Sequence, residues 1–299
     1  MRILVTGGNG LLGKKIYDFL EKNDHNVFFT YNQNKIEKEN YYYLDITGRD
    51  QVFKIIEKIS PDVVIHTAAL TNVDECERDK NKAYDINVNG TKNIVTASKK
   101  ISAKVAFIST DFVFNGKKGM YKEDDSTDPI NYYGVTKLEG ENIVSDYLDD
   151  YIIARTSVLY GWNDLRKNFV TWVIDQLKIG NKIKVAKDMF NSPTLADNLA
   201  EILIKLLFRD ETGIFHISGS ERISRYDFAS KIINHFNLQK DLIEPVSSDQ
   251  LDLVAKRPKD ASLDVSKISK IKNPLNIDDG LRIMKESRER TFGIMEELK

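Results

Sequence analysis

A tyrosine and a lysine four positions apart are the residues of this sequence best suited to acid–base chemistry. Tyr133 and Lys137 fall in a segment predicted to be helical, where this spacing places both side chains on one face. A phenol with the ordinary pKa of about 10 is a poor acid at neutral pH, and a nearby ammonium group is expected to lower that pKa. Thr110 ends a predicted strand, where its hydroxyl can bond and orient a substrate oxygen. Taken singly, each residue also has a structural explanation, because surface Tyr/Lys pairs and strand-end threonines are common.

A glycine-rich turn follows the first predicted strand and precedes a predicted helix. In this order, Gly7 can turn sharply off the strand, Gly10 lets the backbone approach a pyrophosphate, and Gly13 allows close packing of helix on sheet. The free N–H groups at the start of the helix would face the phosphate charge. A tight turn before a helix can be purely structural, but the flanking strand and helix favour a dinucleotide site.

Short apolar runs alternate with longer helical patterns, which predicts an α/β fold with a doubly wound parallel sheet of the Rossmann type. The runs at 62–66 and 104–108 lack polar alternation and are expected to be central strands covered on both faces. Strands are predicted near 2–6, 26–31, 41–44, 62–66, 104–110, 150–157 and 213–217. Helices besides the one after the glycine turn are predicted near 50–59, 79–100, 132–147, 165–179, 195–208 and 224–236.

The regular alternation loosens after about residue 157, which predicts a second, smaller part of the protein. We expect residues 1–157, with a returning segment near 193–217, to form the dinucleotide-binding domain. Residues 158–192 and 218–299 are expected to form a smaller C-terminal substrate-binding lobe over the carboxyl ends of the strands, where ligands bind in such folds.

The composition is that of an ordinary globular protein, with 41% hydrophobic and 30% charged residues. A formal net charge of -1 gives no basic field for nucleic acid or an anionic membrane, and the apolar runs are shorter than a membrane span of roughly 20 residues. The single cysteine, Cys76, excludes an internal disulfide framework and fits a reducing cytoplasm. No cluster has metal-ligand spacing, and His66 is expected to be a packed residue. We therefore expect a cytoplasmic protein without a secretory signal, metal, nucleic-acid partner or membrane contact.

Several short segments occur in an order that is typical of one enzyme superfamily. They lie at 6–13, 66–74, 87–91, 109–116, 133–137, 155–157, 192–194 and 257–258. On these segments the chain resembles the extended short-chain dehydrogenase/reductases across nearly its whole length, and within that group it is most similar to the dTDP-4-dehydrorhamnose reductases. The resemblance implies hydride transfer from a nicotinamide coenzyme to a ketone on a nucleotide-linked sugar.

The resemblance also implies roles for individual residues. Tyr133 would protonate the forming alkoxide, and Lys137 would bond the nicotinamide ribose. Thr110 would occupy the position that is usually serine or threonine in this superfamily. Asn87 would support the active-site backbone or a water, or would simply bend its helix. The implied coenzyme contacts are Gly7, Asn9, Gly10, Leu11, Leu12, Gly13, Asp45, Ile46, Ala68, Ala69, Leu70, Tyr133 and Lys137. The implied substrate contacts are Thr71, Val73, Thr110, Phe112, Val158 and Arg257.

The end of the second predicted strand bears on the choice of coenzyme. An acidic residue about 20 positions after the glycine turn would bond the ribose 2′-hydroxyl and select NAD. The segment 29–35 contains no carboxylate, and Thr30, Asn32 and Lys35 could hold a 2′-phosphate. NADP is therefore the expected coenzyme, with NAD as the alternative.

Two positions depart from the pattern of the rhamnose reductases and bear on the substrate. Phe112 stands where they usually carry tyrosine, and Val158 stands where they usually carry tryptophan over the sugar. Losing a hydroxyl and a large stacking surface alters recognition by an amount on the order of a kcal/mol. Trp162 could compensate or could pack in the smaller lobe, and Arg257 could contact the diphosphate or form a surface salt bridge.

Three functions remain open from the sequence. The first is an NADP-dependent reductase that converts dTDP-4-dehydrorhamnose to dTDP-rhamnose. The second is a non-catalytic regulatory subunit, because the beta subunit of methionine adenosyltransferase in animals has similar segments. The third is a reductase of a different carbonyl or a related nucleotide-sugar epimerase, and an epimerase would reoxidise its intermediate and retain NAD tightly. A homodimer is compatible with each of them.

Overall fold

A seven-stranded parallel sheet forms the centre of the protein. The computed structural model describes residues 1–21, 25–35, 37–163 and 165–297, with side chains described up to Arg288. The sheet strands are β1 Arg2–Thr6, β2 Asn26–Tyr31, β3 Tyr41–Tyr43, β4 Val63–His66, β5 Lys104–Thr110, β6 Tyr151–Thr156 and β7 Gly213–His216. Each strand falls where the apolar runs predict it, and the predicted α/β fold is confirmed.

The strand order places a crevice at the end of β1. The order is β7-β6-β5-β4-β1-β2-β3, so the chain runs outward through β2 and β3 and then returns to the other side of β1. Ligands bind in such sheets where the order reverses, at the carboxyl ends of the strands. Here that point lies between β1 and β4, at the register pair Thr6 and His66.

Helices cover both faces of the sheet. They are α1 Leu11–Leu20, α2 Arg49–Ile59, α3 Val73–Arg78, α4 Lys80–Tyr84, α5 Gly90–Lys100, α6 Tyr132–Tyr147, α7 Phe169–Lys178, α8 Ala196–Phe208, α9 Arg225–Phe236, α10 Ser266–Ser269 and α11 Ile277–Glu297. Buried side chains of α1 and α8 share one hydrophobic cluster with the sheet, and those of α2 and α5 form another cluster with it. The sheet is therefore buried on both sides, which explains its near-continuous apolar strands.

The helix predicted over 79–100 is interrupted by a π-helical turn. The turn spans Asp85–Asn89 and lies between α4 and α5. A π turn inserts an extra residue into a helix and often occurs at functional sites. Helix α7 begins later than predicted, because Asn168 caps it through a hydrogen bond from Thr171. Helix α11 was not predicted at all.

A further hydrophobic cluster is built from residues after β6. It includes buried side chains of α7, α9 and α11, such as Val173, Ile232 and Leu281. Short two-stranded pairings join Leu159–Tyr160 to Thr194–Leu195, and Ile183–Ala186 to Ile243–Val246. Ile268, by contrast, packs with the sheet and α8. The division into two lobes stays a prediction.

Among the described residues, every helix is too short or too polar to cross a lipid bilayer.

Candidate active site

The glycine turn forms a tight backbone cradle at the start of α1. Gly7 has φ +71°, a conformation that favours glycine, and a Cβ there would lie 2.9 Å from the Thr67 hydroxyl oxygen. A Cβ at Gly13 would lie 2.5 Å from the Gly7 carbonyl oxygen, so glycine lets the helix approach the turn. Gly10 occupies the N-cap position, where no side chain caps the helix. The first N–H groups of α1 are therefore left for a ligand, as a phosphate site requires.

The turn is tied to the loops that flank it. The Asn9 side-chain amide donates to the carbonyl oxygens of Gln33 and Asn34, at 2.8 Å each. On the other side, the Ala68 amide donates to the Thr6 hydroxyl at 3.2 Å. Leu11 is half-buried and Leu12 is buried on α1. The loops that follow β1, β2 and β4 are thus held together around one crevice.

Asn87 braces the loop after β4 from within the π-helical turn. Its side-chain oxygen accepts a hydrogen bond from the Leu70 amide at 2.8 Å, and its amide donates to the Leu70 carbonyl at 3.0 Å. The same amide donates to the Thr136 hydroxyl at 3.0 Å, and that hydroxyl donates to the Tyr133 carbonyl. Asn87 therefore supports the segment at Ala69 and Leu70 and connects it to α6.

The crevice is open beside the loops that follow β2 and β3, where it is lined mostly by polar side chains. The lining residues are Asn32, Asp45, Thr47, Asp79, Asn81, Lys82, Asp85 and Ile86. Asp45 holds its loop by accepting hydrogen bonds from the Thr47 amide at 3.0 Å and its hydroxyl at 2.8 Å. Ile46 is buried against Gly90.

One expectation at this end of the crevice is wrong. The Thr30 side chain is only 1% exposed, because it lies in the sheet interior, and it cannot hold a 2′-phosphate. Lys35 is exposed and pairs with Glu37 at 2.9 Å. Of the three residues that were expected to hold a 2′-phosphate, Asn32 is the one that lines the described crevice.

Thr110 and Tyr133 come together because α6 approaches the loop after β5 very closely. Asn131 caps α6 by accepting a hydrogen bond from the Gly134 amide at 2.9 Å. A Cβ at Gly134 would overlap the Phe112 carbonyl oxygen, so only glycine permits this approach. The Tyr133 side chain is thereby brought next to Thr110, whose side chain lowers the pKa of the phenol.

Lys137 lies one turn beyond Tyr133 on the same buried face of α6. Its ammonium group lies 3.9 Å from the centre of the Phe107 ring. Burial lowers the pKa of Lys137 to about 7, and the negative charge of Glu141 opposes this shift. The predicted Tyr133 and Lys137 pair therefore faces the sheet interior and is not a surface pair.

The expectation that Lys137 lowers the Tyr133 pKa is wrong. Burial of the ring raises the pKa of Tyr133, and the negative charge of Asp111 raises it further, while a hydrogen bond with Thr110 opposes both. The phenol consequently holds its proton throughout the neutral range. A protonated phenol is the form that can donate a proton to a carbonyl oxygen.

Asp111 is a buried carboxylate to which sequence reasoning assigned no role. Its oxygens accept hydrogen bonds from the hydroxyls of Thr110 at 2.9 Å and Ser157 at 2.6 Å, and from the Asn191 amide at 3.0 Å. Burial raises its pKa to about 6, and these hydrogen bonds and the positive charge of Arg225 oppose the shift. The sequence signal that could have pointed to this residue is its position directly after Thr110, at the end of a strand.

The predicted substrate residues surround the same end of the sheet. Phe112 is buried and packs edge-on against the Tyr133 ring, with centroids 6.2 Å apart. Thr71 is exposed and Val73 is half-buried at the start of α3. Val158 has φ +43°, which is strained for a β-branched residue and is often found at functional sites.

Arg257 and Trp162 both have protein partners. The Arg257 guanidinium pairs with Asp74 at 3.0 Å and donates to the Ala255 carbonyl at 2.7 Å. The Trp162 indole donates to the Met284 carbonyl at 2.6 Å and therefore packs against α11. Trp162 does not replace the missing stacking surface at Val158.

Two further side chains have purely structural surroundings. His66 is buried between the hydroxyls of Thr6 at 2.7 Å and Thr91 at 3.1 Å, and burial lowers its pKa to about 3. Cys76 is buried, and burial raises its pKa to about 11, which makes it a poor nucleophile. Within the described residues, no group of three or more metal-ligating side chains converges.

The RmlD substrate binding domain family matches residues 1–279 of this chain. The chain belongs to that family. It is 33% identical to a dTDP-4-dehydrorhamnose reductase of Aggregatibacter actinomycetemcomitans over 279 residues, which are 89% of this chain and 92% of that protein. It is also 32% identical to the methionine adenosyltransferase 2 subunit beta of Mus musculus over 276 residues, which are 89% of this chain and 81% of that protein.

Solved structures agree with this assignment. The dTDP-4-dehydrorhamnose reductase of Bacillus anthracis, in complex with NADP, superposes with a TM-score of 0.87 at 32% identity. That match covers 96% of this chain and 99% of the other. The UDP-glucose 4-epimerase of Thermus thermophilus, in complex with NAD, has a TM-score of 0.81 at 19% identity over 95% of this chain and 97% of the other. The second likeness shows the shared fold alone.

Proposed function

We propose that this protein is an NADPH-dependent reductase of a nucleotide-linked keto-sugar, which converts dTDP-4-dehydrorhamnose to dTDP-rhamnose. One observation carries the proposal: the Tyr133 side chain lies next to Thr110 at the end of β5, with Lys137 one helical turn away. The dTDP-4-dehydrorhamnose reductases among the relatives support the substrate class.

The residues at the end of β1 fit a dinucleotide. Gly7, Gly10 and Gly13 leave room that a Cβ would fill, and the N-terminus of α1 presents N–H groups to a pyrophosphate. The residues that would hold the coenzyme are Gly7, Asn9, Gly10, Leu11, Leu12, Gly13, Asp45, Ile46, Ala68, Ala69, Leu70, Tyr133 and Lys137. When bound, NADPH supplies the hydride for the reduction.

The protein's own groups supply the proton and the orientation. Tyr133, held protonated, donates its proton to the carbonyl oxygen as that oxygen gains negative charge. Thr110 bonds the same oxygen and fixes its position. Lys137, one helical turn away, would bond the ribose hydroxyls and so place the coenzyme beside the phenol.

NADP is the proposed coenzyme over NAD. No carboxylate follows β2 at the positions where an acidic residue would bond a ribose 2′-hydroxyl. Asn32 lines the crevice there, and it can donate a hydrogen bond to a 2′-phosphate. The relative of known structure from Bacillus anthracis is in complex with NADP.

Substrate contacts are proposed on the side of the crevice that faces the residues after β6. Thr71, Val73, Phe112, Val158 and Arg257 would contact the nucleotide-sugar. Phe112 contributes an apolar edge beside Tyr133, and Val158 leaves more space than a large aromatic side chain would. The pocket is accordingly less polar and wider than one with tyrosine and tryptophan at these two positions.

The test is a spectrophotometric assay of coenzyme oxidation. The purified protein is mixed with dTDP-4-dehydrorhamnose and either NADPH or NADH, and then with other nucleotide-linked 4-keto-sugars. Oxidation of NADPH that depends on the keto-sugar supports the proposal. No oxidation with any of them, together with co-purification of a methionine adenosyltransferase catalytic subunit, would instead support the regulatory function. NAD that stays bound through purification would favour an epimerase.

A further inference from the structure

Asn131 forms a hydrogen bond through each end of its side-chain amide. Its Oδ1 accepts from the Gly134 amide at 2.9 Å, and its Nδ2 donates to the Lys256 carbonyl oxygen at 3.0 Å. The partners decide which end is which, because a backbone N–H can only donate and a carbonyl can only accept. Asn131 is 4% exposed, so water cannot readily replace either partner. One buried side chain therefore joins the start of α6 to residue 256.

The first of these hydrogen bonds helps to place Tyr133. Asn131 is the N-cap of α6, and Tyr133 is the second residue of that helix. The Glu77 carboxylate accepts from the Tyr132 amide at 3.0 Å, so a second side chain satisfies an N–H group of the same turn. These caps hold the first turn of α6, and with it Tyr133, at the end of β5.

The second hydrogen bond acts on the segment 255–257, which contains Arg257. The Ala255 amide donates to Oδ1 of Asp74 at 3.0 Å, and the Arg257 guanidinium pairs with the same oxygen at 3.0 Å. The guanidinium also donates to the Ala255 carbonyl at 2.7 Å. A guanidinium has more N–H groups than these contacts use, so Arg257 keeps donors for an anion.

Asn131 thus connects two groups that would act on opposite ends of one substrate. A nucleotide-linked keto-sugar has its diphosphate at one end and its keto group at the other. In the proposed function, Arg257 bonds the phosphate oxygens and Tyr133 protonates the keto oxygen. The separation of these two side chains must match the length of the substrate, and Asn131 is bonded to the backbone beside each of them.

We propose that Asn131 is a positioning residue that fixes Arg257 relative to Tyr133 and thereby strengthens binding of a nucleoside diphosphate. This inference rests on the proposed function. In this role Asn131 acts through the Lys256 carbonyl, without touching the substrate. Because Arg257 would contact a part of the substrate that does not react, displacing it weakens the ground state and the transition state equally. KM should therefore rise while kcat is preserved.

Asn131→Ser and Asn131→Asp separate the two hydrogen bonds. Serine and aspartate both cap helices well, but neither has the amide N–H that reaches the Lys256 carbonyl. With saturating NADPH, KM for dTDP-4-dehydrorhamnose should rise at least about tenfold in both variants, while kcat stays within about threefold. The Kd for NADPH should stay within about twofold. Asn131→Ser is uncharged, so its result excludes repulsion of the substrate by the carboxylate of Asn131→Asp.

Two further variants serve as controls. Lys256→Arg keeps the charge and alters only an exposed side chain, and the Lys256 backbone carbonyl that Asn131 bonds remains. Its KM should stay within about twofold of the wild type. Asn131→Ala loses the cap as well, so its kcat and its melting temperature should both fall.

Two measurements do not depend on turnover. Calorimetry with dTDP, which has the diphosphate but no sugar, should show a Kd that is raised at least about tenfold in Asn131→Ser. Hydrogen exchange followed by mass spectrometry should be faster in the peptide spanning 252–260 of that variant, because the segment has lost an attachment. Exchange in the peptide spanning 135–147 of α6 should be unchanged.

Asp74→Ala removes the other attachment of the segment and lies on α3. Alone, it should also raise the Kd for dTDP. Combined with Asn131→Ser, it should raise that Kd by less than the product of the two single effects, because both residues act through one segment. A purely structural role of Asn131 in α6 would give independent effects.

Three results would overturn the inference. They are an unchanged KM and Kd for dTDP in both Asn131→Ser and Asn131→Asp, losses of kcat or NADPH affinity as large as the loss of substrate affinity, and unchanged exchange at 252–260. If the wild type reduces no keto-sugar but binds dTDP, and the variants weaken that binding, the reductase proposal fails while the inference stands. If the wild type does not bind dTDP, both fail.

Discussion

Glu141 and Arg155 form a buried, two-pronged ion pair one helical turn beyond Lys137. The Arg155 Nε lies 3.0 Å from Glu141 Oε1, and Nη2 lies 2.7 Å from Oε2. Each side chain is 4% exposed, and Ser109 also donates to Glu141. The pair connects α6 to β6 and presents negative charge to Lys137.

Replacing Glu141 with Gln should therefore destabilise the protein strongly. Breaking a buried ion pair leaves Arg155 without its negatively charged partner, and the expected loss in free energy of unfolding is about 3–5 kcal/mol. Urea denaturation followed by circular dichroism measures it, with exposed Glu139→Gln on the same helix as the control. A loss below about 1 kcal/mol, similar to that of a surface substitution, would contradict the structural role of the pair.

Replacing Lys137 with Met should stabilise the protein while it removes activity. The folded-state pKa of Lys137 is about 7, below its ordinary value of 10.5, so between these values the unfolded chain binds the extra proton. Stability therefore rises with pH across this window. At pH 7 or below, Met should raise the free energy of unfolding by about 1–4 kcal/mol, because it removes a buried charge.

The control for this prediction is the exposed Lys92→Met. Urea unfolding of wild type and both variants at pH 7 and pH 9.5 separates Lys137 from other titrating groups. The advantage of Lys137→Met over wild type should shrink at the higher pH. An advantage that grows with pH would contradict the lowered pKa.

Replacing Asn87 with Ala should weaken both the fold and coenzyme binding. The substitution leaves the Leu70 amide without its partner and the Leu70 carbonyl with the Cys76 thiol as its donor, and the expected loss in free energy of unfolding is about 1–3 kcal/mol. Because the loop at Leu70 is a proposed wall of the coenzyme site, NADPH affinity should fall by about tenfold. Fluorescence titration with NADPH measures this affinity. Asn89→Ala is the matched control, because within the described part of the chain the Asn89 side chain has a hydrogen bond to exposed Asp85 and to no other residue. Equal effects of the two substitutions would contradict the bracing role of Asn87.

Replacing Gly13 with Ala should disturb the dinucleotide cradle. The added Cβ would lie 2.5 Å from the Gly7 carbonyl oxygen, so α1 must move away from the turn. NADPH affinity should drop by at least about tenfold, and the melting temperature should fall. Gly48→Ala is the control, because Gly48 has φ -79° and its Cβ would approach no atom closer than 3.4 Å. Unchanged NADPH binding in Gly13→Ala would speak against this turn as the phosphate site.

The sheet could be predicted because its signal is local. Central strands such as β4 and β5 are continuous apolar runs, and that pattern follows from burial on both faces. The glycine turn was also predictable, because strand, turn and helix are adjacent in the sequence. The predicted roles of its residues, and of Thr110, Tyr133 and Lys137, remain predictions that the experiments above test.

The features that were missed depend on contacts between distant residues. Asn87, within the π-helical turn, forms hydrogen bonds to Leu70 and Thr136. The periodicity of apolar residues along a helix does not reveal such contacts. The raised pKa of Tyr133 results from burial and from the negative charge of Asp111, although Lys137 is closer to Tyr133 along the chain. The network around Asp111 joins it to Ser157 and Asn191, which lie far along the chain.

The most direct test of the proposed function is the Tyr133→Phe variant in the NADPH assay with dTDP-4-dehydrorhamnose. The ring and its contact with Phe112 remain, and only the acidic hydroxyl is lost. We expect kcat to fall by at least about a hundredfold while the Kd for NADPH stays nearly unchanged. Turnover close to that of the wild type would contradict Tyr133 as the acid and, with it, the proposed reductase mechanism.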